Sequence, residues 1–228
     1  MKHASELIKD FESEQYNELL TDIYVDEHLL AYQNGRYIAA LQKFIKDFGD
    51  TEVSIFSAPG RSEVGGNHTD HQHGQVLAAS INLDAIAIVA KTSDDKIQVI
   101  SDGYDLITID ASDLSLVESE KETTTALIKG VAAGLKEHGH AVGGFKAYIT
   151  SDVLIGAGLS SSAAFETIIG TILSGLYNNG SVSAIEIAII GQYAENVYFG
   201  KPCGLMDQMA SSVGNLVHID FADPADPI

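Results

Sequence analysis

The sequence has few cations, one cysteine and no long apolar run. Thirteen lysines and arginines stand against 32 aspartates and glutamates, a formal net charge of −19. A chain this acidic repels phosphate backbones and anionic lipids, which argues against nucleic-acid binding and against docking on membranes. Cys203 has no second cysteine to pair with, which suits a reducing compartment. Because no apolar run reaches about 18 residues and no signal-peptide core is present, we expect a cytoplasmic protein.

The composition is that of a folded protein. Hydrophobic residues make up 45% of the 228 residues and charged residues 20%, which excludes wholesale disorder. A chain of this length forms one large domain or two small ones.

Hydrophobic periodicity predicts an α+β fold with a mixed sheet. Helical spacing over residues 35–49 predicts a helix that Gly49 ends, and the acidic residues 2–32 predict one or two more. Period-two patterns predict strands at 51–57, 85–91, 96–101, 106–110, 144–151 and 215–221. Further helices are predicted at 123–138, 160–177, 183–198 and 205–212. Strands that cluster early and helices that cluster late favour α+β over a doubly wound sheet.

Three segments define the domain organisation that we expect. Residues 1–50 form a helical N-terminal extension, residues 51–221 form the main domain, and the acidic, proline-containing residues 222–228 begin a connection to a further domain. We therefore expect the chain to be part of a longer protein.

The most unusual stretch, residues 58–74, is rich in charge and glycine. It can be a polar surface loop, since charge is costly to bury unless it is paired. It can also hold a metal, because His68, His71 and His73 with Asp70 supply suitable ligand types, although this spacing is not diagnostic. Arg61, one of only two arginines, lies in the same stretch.

A second stretch, residues 154–164, places G-A-G-L-S-S-S before an apolar helix. The free N–H groups and the dipole of a helix N-terminus favour anions, and small residues let a phosphate approach the backbone. Ordinary capping by Ser160 or Ser161 is the structural alternative. The stretch lacks the Gly-Lys-Ser/Thr ending of a Walker A loop and the third glycine of a dinucleotide fingerprint.

A third stretch, residues 195–212, holds Asp207 after a Pro-Cys-Gly turn and Glu195 on the helix before it. Taken singly, a helix cap explains Asp207 and a solvated helix face explains Glu195. Taken together, the three stretches contain what phosphoryl transfer needs: a phosphate loop, the cation Arg61, and carboxylates for a metal and an attacking hydroxyl. His68 and Asp70 are then left to bind a polyol.

In this order the three stretches resemble the GHMP small-molecule kinases, and within them the galactokinase family. Residues 60–70 read G-R-S-E-V-G-G-N-H-T-D, beside a family signature of G-R-x-N-x-x-G-E-H-T-D. Residues 156–163 contain the phosphate motif G-x-G-L-S-S-S-A without a break. Residues 203–208 read C-G-L-M-D-Q, beside C-G-I-M-D-Q in the family. The resemblance extends over about residues 50–221.

The resemblance implies an ATP-dependent kinase that phosphorylates a sugar, with galactose as the expected substrate, at the C1 hydroxyl. Asp207 would be the catalytic carboxylate facing that hydroxyl, with Arg61 beside it to keep it ionised and to steady transferred charge. Ser162 and Glu195 match ligands of Mg²⁺. The residues matched to the sugar site are His68, Asp70 and the backbone of Gly204, and those matched to the ATP phosphate loop are Gly156, Gly158, Ser160, Ser161 and Ser162.

The family fold also sets expectations. It has an N-terminal α+β domain with a left-handed βαβ crossover, followed by a ferredoxin-like C-terminal domain. That second domain and its glycine-rich motif are absent from these 228 residues.

The chain departs from the family pattern at the sugar and at the base. Asn67 stands where the family has a glutamate that contacts a sugar hydroxyl, and Glu63 stands where the family has asparagine. Asparagine still donates and accepts hydrogen bonds but carries no charge. Thr124 and Leu127 replace the aromatic residues that stack on adenine, so base stacking should be weaker.

Other functions remain open at this point. A kinase for another sugar, such as N-acetylgalactosamine, has the same motifs. A non-catalytic sensor that binds galactose and ATP keeps the fold, although it need not keep Arg61, Asp207 and all three serines. A metal-dependent hydrolase would use the histidines. Self-association is expected if the chain exposes an apolar face that a second domain covers.

Overall fold

A computed structural model of the chain describes residues 2–154 and 156–223, apart from the side chain of His71. Of the expected connection at 222–228, only residues 222 and 223 therefore lie within the described part. Within them, seven strands form one sheet in the order β1-β2-β3-β6-β4-β5, with β7 paired to β3. The strands are β1 (Lys2–His3), β2 (Glu52–Gly65), β3 (Gln75–Lys91), β4 (Lys96–Ser101), β5 (Ile107–Asp110), β6 (Phe145–Ser151) and β7 (Leu216–Asp220).

The sheet is mixed, as predicted. Strand β4 runs parallel to β6, and the other pairs are antiparallel. The chain passes from β4 to β6 through β5 and a helix, which is where the expected crossover falls. That this crossover is left-handed stays a prediction.

Seven α-helices lie between these strands in the described residues. They are α1 (Ala4–Glu12), α2 (Asn17–Tyr24), α3 (Leu30–Phe48), α4 (Thr124–Glu137), α5 (Ser161–Tyr177), α6 (Ala184–Tyr193) and α7 (Met206–Val213). Helix α6 continues into a π-helical turn over Ala194–Phe199, so the helix predicted at 183–198 changes its pitch near its end. None of the described helices is both long and apolar enough to cross a membrane.

Alternation along β3 divides its side chains between two cores. Ala85, Ala87 and Val89 pack with α4, α5 and α6 on one face of the sheet. Ile86 and Ile88 pack with α1, α2 and α3 on the other face. Successive strand residues point to opposite faces, so a strand buried on both sides is apolar throughout. The helices of residues 1–50 therefore form one of two helical layers around the sheet.

The loop interpretation of residues 58–74 is wrong for its first half. Strand β2 continues to Gly65, and β3 already begins at Gln75. Pairing with β3 satisfies the backbone there, despite Pro59 and the charged side chains, and register shifts at Pro59/Arg61 and Glu63/Gly65 absorb the irregularity. Only residues 66–74 form the turn, which includes a short 3₁₀ helix at Asp70–Gln72.

A buried carboxylate joins the first helical layer to the sheet. Arg36 donates from Nη1 to Asp84 Oδ1 at 2.5 Å and from Nη2 to the Asp84 carbonyl at 2.7 Å. Tyr24 and Ser57 donate to the other oxygen, Oδ2, at 2.9 Å and 2.5 Å. The carboxylate is thus paired in charge and in hydrogen bonds, which is what a buried ion needs. Burial raises the pKa of the Tyr24 hydroxyl, and Asp84 adds to that effect.

We expect Asp84→Asn to lower the free energy of unfolding by about 3 kcal/mol, because it leaves the Arg36 cation buried without its main partner. Breaking a buried ion pair usually costs about 3–5 kcal/mol. We expect the low end of that range because Asp152, whose Oδ2 lies 3.3 Å from Arg36 Nη1, remains as a second partner. Urea unfolding measures it. The matched control is Asp110→Asn, which removes an exposed pair with Lys96 of the same 2.5 Å length and should leave the midpoint unchanged. Equal effects of the two substitutions would contradict this account.

Candidate active site

The three predicted motifs meet at one carboxylate. Arg61 Nε donates to Asp207 Oδ1 at 2.7 Å. The hydroxyl of Ser160 donates to the second carboxylate oxygen, Oδ2. Arg61 Nη1 reaches the carbonyl of Gly158 at 2.6 Å. The arginine side chain is 8% exposed and that of Asp207 is 34% exposed, so the carboxylate faces solvent above a buried cation.

A change of register in β2 places the Arg61 side chain in this site. Before the shift, Pro59 pairs with Asp84, whose side chain faces α3. After it, Arg61 pairs with Ser80, and its own side chain faces α7 instead. Because residues two apart normally share a face, the irregularity between them turns the arginine to the opposite side of the sheet.

Close backbone contacts hold the strand against its neighbours. Arg61 N donates to the Leu159 carbonyl at 3.1 Å, and the Ser211 hydroxyl of α7 donates to the Pro59 carbonyl at 2.7 Å. A Cβ at Gly60 would lie 2.8 Å from the Leu159 oxygen, so a larger residue would push the two segments apart. Glycine at this position is therefore required by packing.

Residues 156–162, which we call the serine loop, lead into α5. Gly156 and Gly158 have left-handed φ values of 76° and 73°, as glycine permits. Ser160 sits at the N-cap position with φ of 56°, but its side chain makes no capping bond to α5 and donates to Asp207 instead. Capping by Ser160, the structural alternative, is therefore wrong.

A cavity of about 410 Å³ adjoins the serine loop. Ser161 and Ser162 line it, together with Phe165 of the same helix. Thr124 and Leu127 of α4 line it as well, which brings the two predicted base-contacting positions to the predicted phosphate loop.

Asp70 approaches the segment that carries Asp207. Its Oδ2 accepts a hydrogen bond from Met206 N at 3.4 Å. A Cβ at Gly204 would collide with the same carboxylate oxygen, so a larger residue there would displace the Asp70 side chain. The structure thus brings together Asp70, Gly204 and the start of α7.

Asn67 and His68 lie in the turn after β2. Both have left-handed backbone conformations, with φ of 58° and 51°, in a region where asparagine is favoured and most residues are rare. The carboxylate of Glu63 supports them: its Oε1 accepts from His68 N at 2.8 Å, and its Oε2 lies 3.1 Å from His68 Nε2. In the sequence alone, Glu63 stands out only as a departure from the family pattern.

Glu195 belongs to a buried acidic group that the sequence did not predict. Gln208 Nε2 donates to Glu195 Oε2 at 3.0 Å and to Glu166 Oε2 at 3.1 Å. The helix-face interpretation of Glu195 is therefore wrong, since the residue is 4% exposed. Burial, and then the charge of Glu195, raises the pKa of Glu166 well above its ordinary value. A glutamate inside an apolar helix such as α5 is the sequence signal that could have revealed it.

Among the described residues, no group of three or more His, Cys, Asp or Glu is arranged to hold a metal ion. His68 contacts Glu63, and the side chain of His71 is outside the description. The two predicted Mg²⁺ ligands, Ser162 and Glu195, both carry the hard oxygen atoms that Mg²⁺ prefers. Ser162 lines the cavity and Glu195 lies beside Gln208.

Comparison with known proteins gives the same family as the sequence motifs. Residues 42–91 match the galactokinase galactose-binding signature, and residues 126–215 match the N-terminal domain of the GHMP kinases. A galactokinase of Lactococcus lactis is 34% identical over 191 residues, which cover 82% of this chain and 48% of that protein. A galactokinase of Clostridium tetani is 31% identical over 188 residues, which cover 82% of this chain and 47% of that protein.

A solved structure extends the comparison to the fold. The crystal structure of Lactococcus lactis galactokinase complexed with galactose superposes with a TM-score of 0.76 at 30% identity. The match covers 84% of this chain and 50% of that one, so the chain spans about half the length of the relatives it matches.

The chain therefore belongs to the GHMP kinase family, whose N-terminal domain it carries. Within that family it is similar to galactokinases, because their galactose-binding signature and their fold both match.

Glu166 generates a prediction about pH. In the folded chain it keeps a proton that the unfolded chain releases above its ordinary pKa of 4.5. The free energy of unfolding should therefore fall as pH rises above that value, by at most about 1.4 kcal/mol per pH unit. Glu166→Gln has no such proton and should unfold with a weaker dependence on pH.

Urea midpoints between pH 5 and pH 8 test this prediction. Glu12→Gln, at an exposed position on α1, is the control and should keep the pH dependence of the unsubstituted chain. Parallel curves for Glu166→Gln and the unsubstituted chain would show that Glu166 is ionised in the fold.

Proposed function

We propose that the protein is a sugar kinase that transfers the γ-phosphoryl group of ATP to the C1 hydroxyl of galactose, giving galactose 1-phosphate. The observation that carries this proposal is the assembly of Arg61, Ser160 and Asp207 from three separate motifs at one partly exposed carboxylate. The complex of Lactococcus lactis galactokinase with galactose supports the choice of sugar.

Asp207 orients the C1 hydroxyl in this proposal. Its carboxylate is held from below by Arg61 at 2.7 Å and remains open to solvent on its other side. A fixed carboxylate aligns a hydroxyl for in-line attack, and the arginine offsets the negative charge that gathers during phosphoryl transfer. Asn67, His68, Asp70 and the backbone of Gly204 form the sugar site.

The serine loop binds the nucleotide phosphates. The free N–H groups at the start of α5 and its dipole favour an anion, and glycines 156 and 158 keep the approach clear of side chains. The base then occupies the 410 Å³ cavity. Thr124 and Leu127 offer no aromatic face to the base, but Tyr104 and Phe165 also line the cavity, so stacking on the base would fall to those two rings.

Mg²⁺ completes the nucleotide site in the proposal, with Ser162 and Glu195 as its protein ligands. The ion, when bound, neutralises charge on the phosphate oxygens. Glu195 is held in place for this role by the amide of Gln208. Lys201, whose Nζ lies 3.7 Å from Glu195 Oε1, is the cation that the metal would replace as partner.

We expect Asp207→Asn, in the full-length protein, to lower kcat by about 10²–10⁴-fold, the usual contribution of a positioned acid–base group. ATP affinity should change much less than kcat, because the cavity and the backbone of the serine loop are intact, although Ser160 loses its carboxylate partner. Product formation from galactose measures kcat, and calorimetry measures ATP binding. Asp22→Asn, on an exposed position of α2, is the control. If Asp207→Asn keeps more than about a tenth of kcat, Asp207 is not the catalytic carboxylate.

The substrate panel decides between the remaining functions. Galactose, N-acetylgalactosamine and other sugars are tested with ATP under the same conditions. Preferred turnover of N-acetylgalactosamine would make the protein a kinase for that sugar. Binding of galactose and ATP without turnover would make it a sensor. The cytoplasmic location also stays part of this proposal.

A second domain is part of the proposed active form, because the relatives are about twice as long as this chain. We expect the 228-residue chain to turn over galactose about a hundredfold more slowly than a form that includes a second domain. An open cleft loses the water exclusion and positioning that are together worth ~3 kcal/mol or more. Light scattering tests whether the shorter chain self-associates. Comparable turnover by the two forms would show that the second domain is dispensable.

A further inference from the structure

Glu63 lies on the face of the sheet that carries the proposed sugar site. It pairs across the sheet with Ala78, and directly opposed residues of an antiparallel pair share a face. Ala78 packs with Leu205 and Met206, the residues that precede Asp207. The Glu63 side chain is 14% exposed, so it is held below the surface rather than extended into solvent.

The carboxylate of Glu63 binds His68 twice. Its Oε1 accepts from the backbone N–H at 2.8 Å, which supports a residue in the left-handed region. Its Oε2 lies 3.1 Å from the ring Nε2. The ring itself is 58% exposed, so one edge is held by the carboxylate while the rest faces outward.

A carboxylate accepts hydrogen bonds and cannot donate them when ionised. A neutral imidazole donates from one ring nitrogen and accepts at the other, and the partner of one nitrogen decides the tautomer. Glu63 therefore selects the tautomer with the hydrogen on Nε2. The lone pair of Nδ1 is then left as an acceptor for a hydroxyl group.

We propose that Glu63 is a positioning residue for sugar recognition, which fixes His68 in the Nε2–H tautomer so that Nδ1 accepts a hydrogen bond from one hydroxyl of the sugar. The carboxylate that the family carries at the position of Asn67 is present here four residues earlier, and it acts through the histidine. This inference rests on the proposed function, because it takes the ligand of His68 to be the sugar.

The substitution Glu63→Gln separates this role from a structural one. Glutamine has the same shape, and its carbonyl oxygen still accepts from His68 N. Its NH₂ group, however, donates to the ring Nε2 and so favours the hydrogen on Nδ1. The turn should stay folded while the hydrogen-bonding sense of the ring is reversed.

The ¹⁵N chemical shifts of the His68 ring at pH 8 test the positioning role without any substrate. We expect the Nε2–H tautomer to predominate in the unsubstituted chain and the Nδ1–H tautomer in Glu63→Gln. Ser62→Ala, an exposed neighbour on the same strand, is the control and should leave the shifts unchanged. His68→Ala identifies the resonances. An unchanged tautomer in Glu63→Gln would overturn the inference.

Binding and turnover of galactose and of its single-position deoxy analogues test the recognition role in the full-length protein. We expect Glu63→Gln to raise KM for galactose about five- to tenfold, as the loss of one hydrogen bond does, with less change in kcat. For one deoxy analogue, the one that lacks the hydroxyl bound by His68, the substitution should leave KM unchanged. The double variant Glu63→Gln/His68→Ala should match His68→Ala alone, because Glu63 acts through the histidine.

The outcomes separate the two proposals. If the unsubstituted protein neither binds nor phosphorylates galactose, the proposed function fails. The tautomer measurement needs no substrate and still decides whether Glu63 fixes the His68 ring. If it phosphorylates galactose and Glu63→Gln raises KM for galactose and for every deoxy analogue by the same factor, Glu63 has only a structural role and the inference is overturned. An added loss in the double variant would show direct contact between Glu63 and the sugar, which also overturns it.

Discussion

The ion pair between Arg61 and Asp207 is the interaction on which the rest of the site depends. It joins β2 to α7, and through Gly158 and Ser160 it also fixes the serine loop. The chain has only two arginines and a net charge of −19. Arg36 is buried against Asp84 and Asp152 in the fold, and Arg61 is buried against Asp207 in the site. Both buried arginines are thus paired with carboxylates, as buried charges need to be.

Much of the fold followed from periodicity. The predicted strand at 96–101 coincides with β4, and the predicted helix at 123–138 differs from α4 by one residue at each end. The prediction failed at residues 58–65, where proline, glycine and charge normally end a strand. Pairing with β3 overrode those local preferences there. A change of register of this kind depends on the partner strand, and the sequence of β2 alone contains no sign of it.

The site was predicted where residue type and spacing define the chemistry. Arg61 lies beside Asp207 as the resemblance implied, whereas the contact of Ser160 with Asp207 was not predicted. Glu166 and the bridging amide of Gln208 were missed, because burial decides their role and the sequence does not show which face of a helix is covered. The contact of Glu63 with His68 was missed for a related reason, since it needs two consecutive left-handed residues that bring the chain back on itself.

The hydroxyl of Ser160 has a single hydrogen and two possible acceptors for it, the Asp207 carboxylate and a nucleotide phosphate. In this structure it donates to Asp207, although it stands in the loop proposed for the nucleotide phosphates. A phosphate that drew this hydrogen would leave Asp207 with Arg61 alone and change its affinity for a sugar hydroxyl. Thermodynamic linkage requires the reverse effect to be equally large, so sugar and nucleotide would alter each other's dissociation constants by the same factor. The coupling between the two substrates would then be carried by a single hydrogen bond.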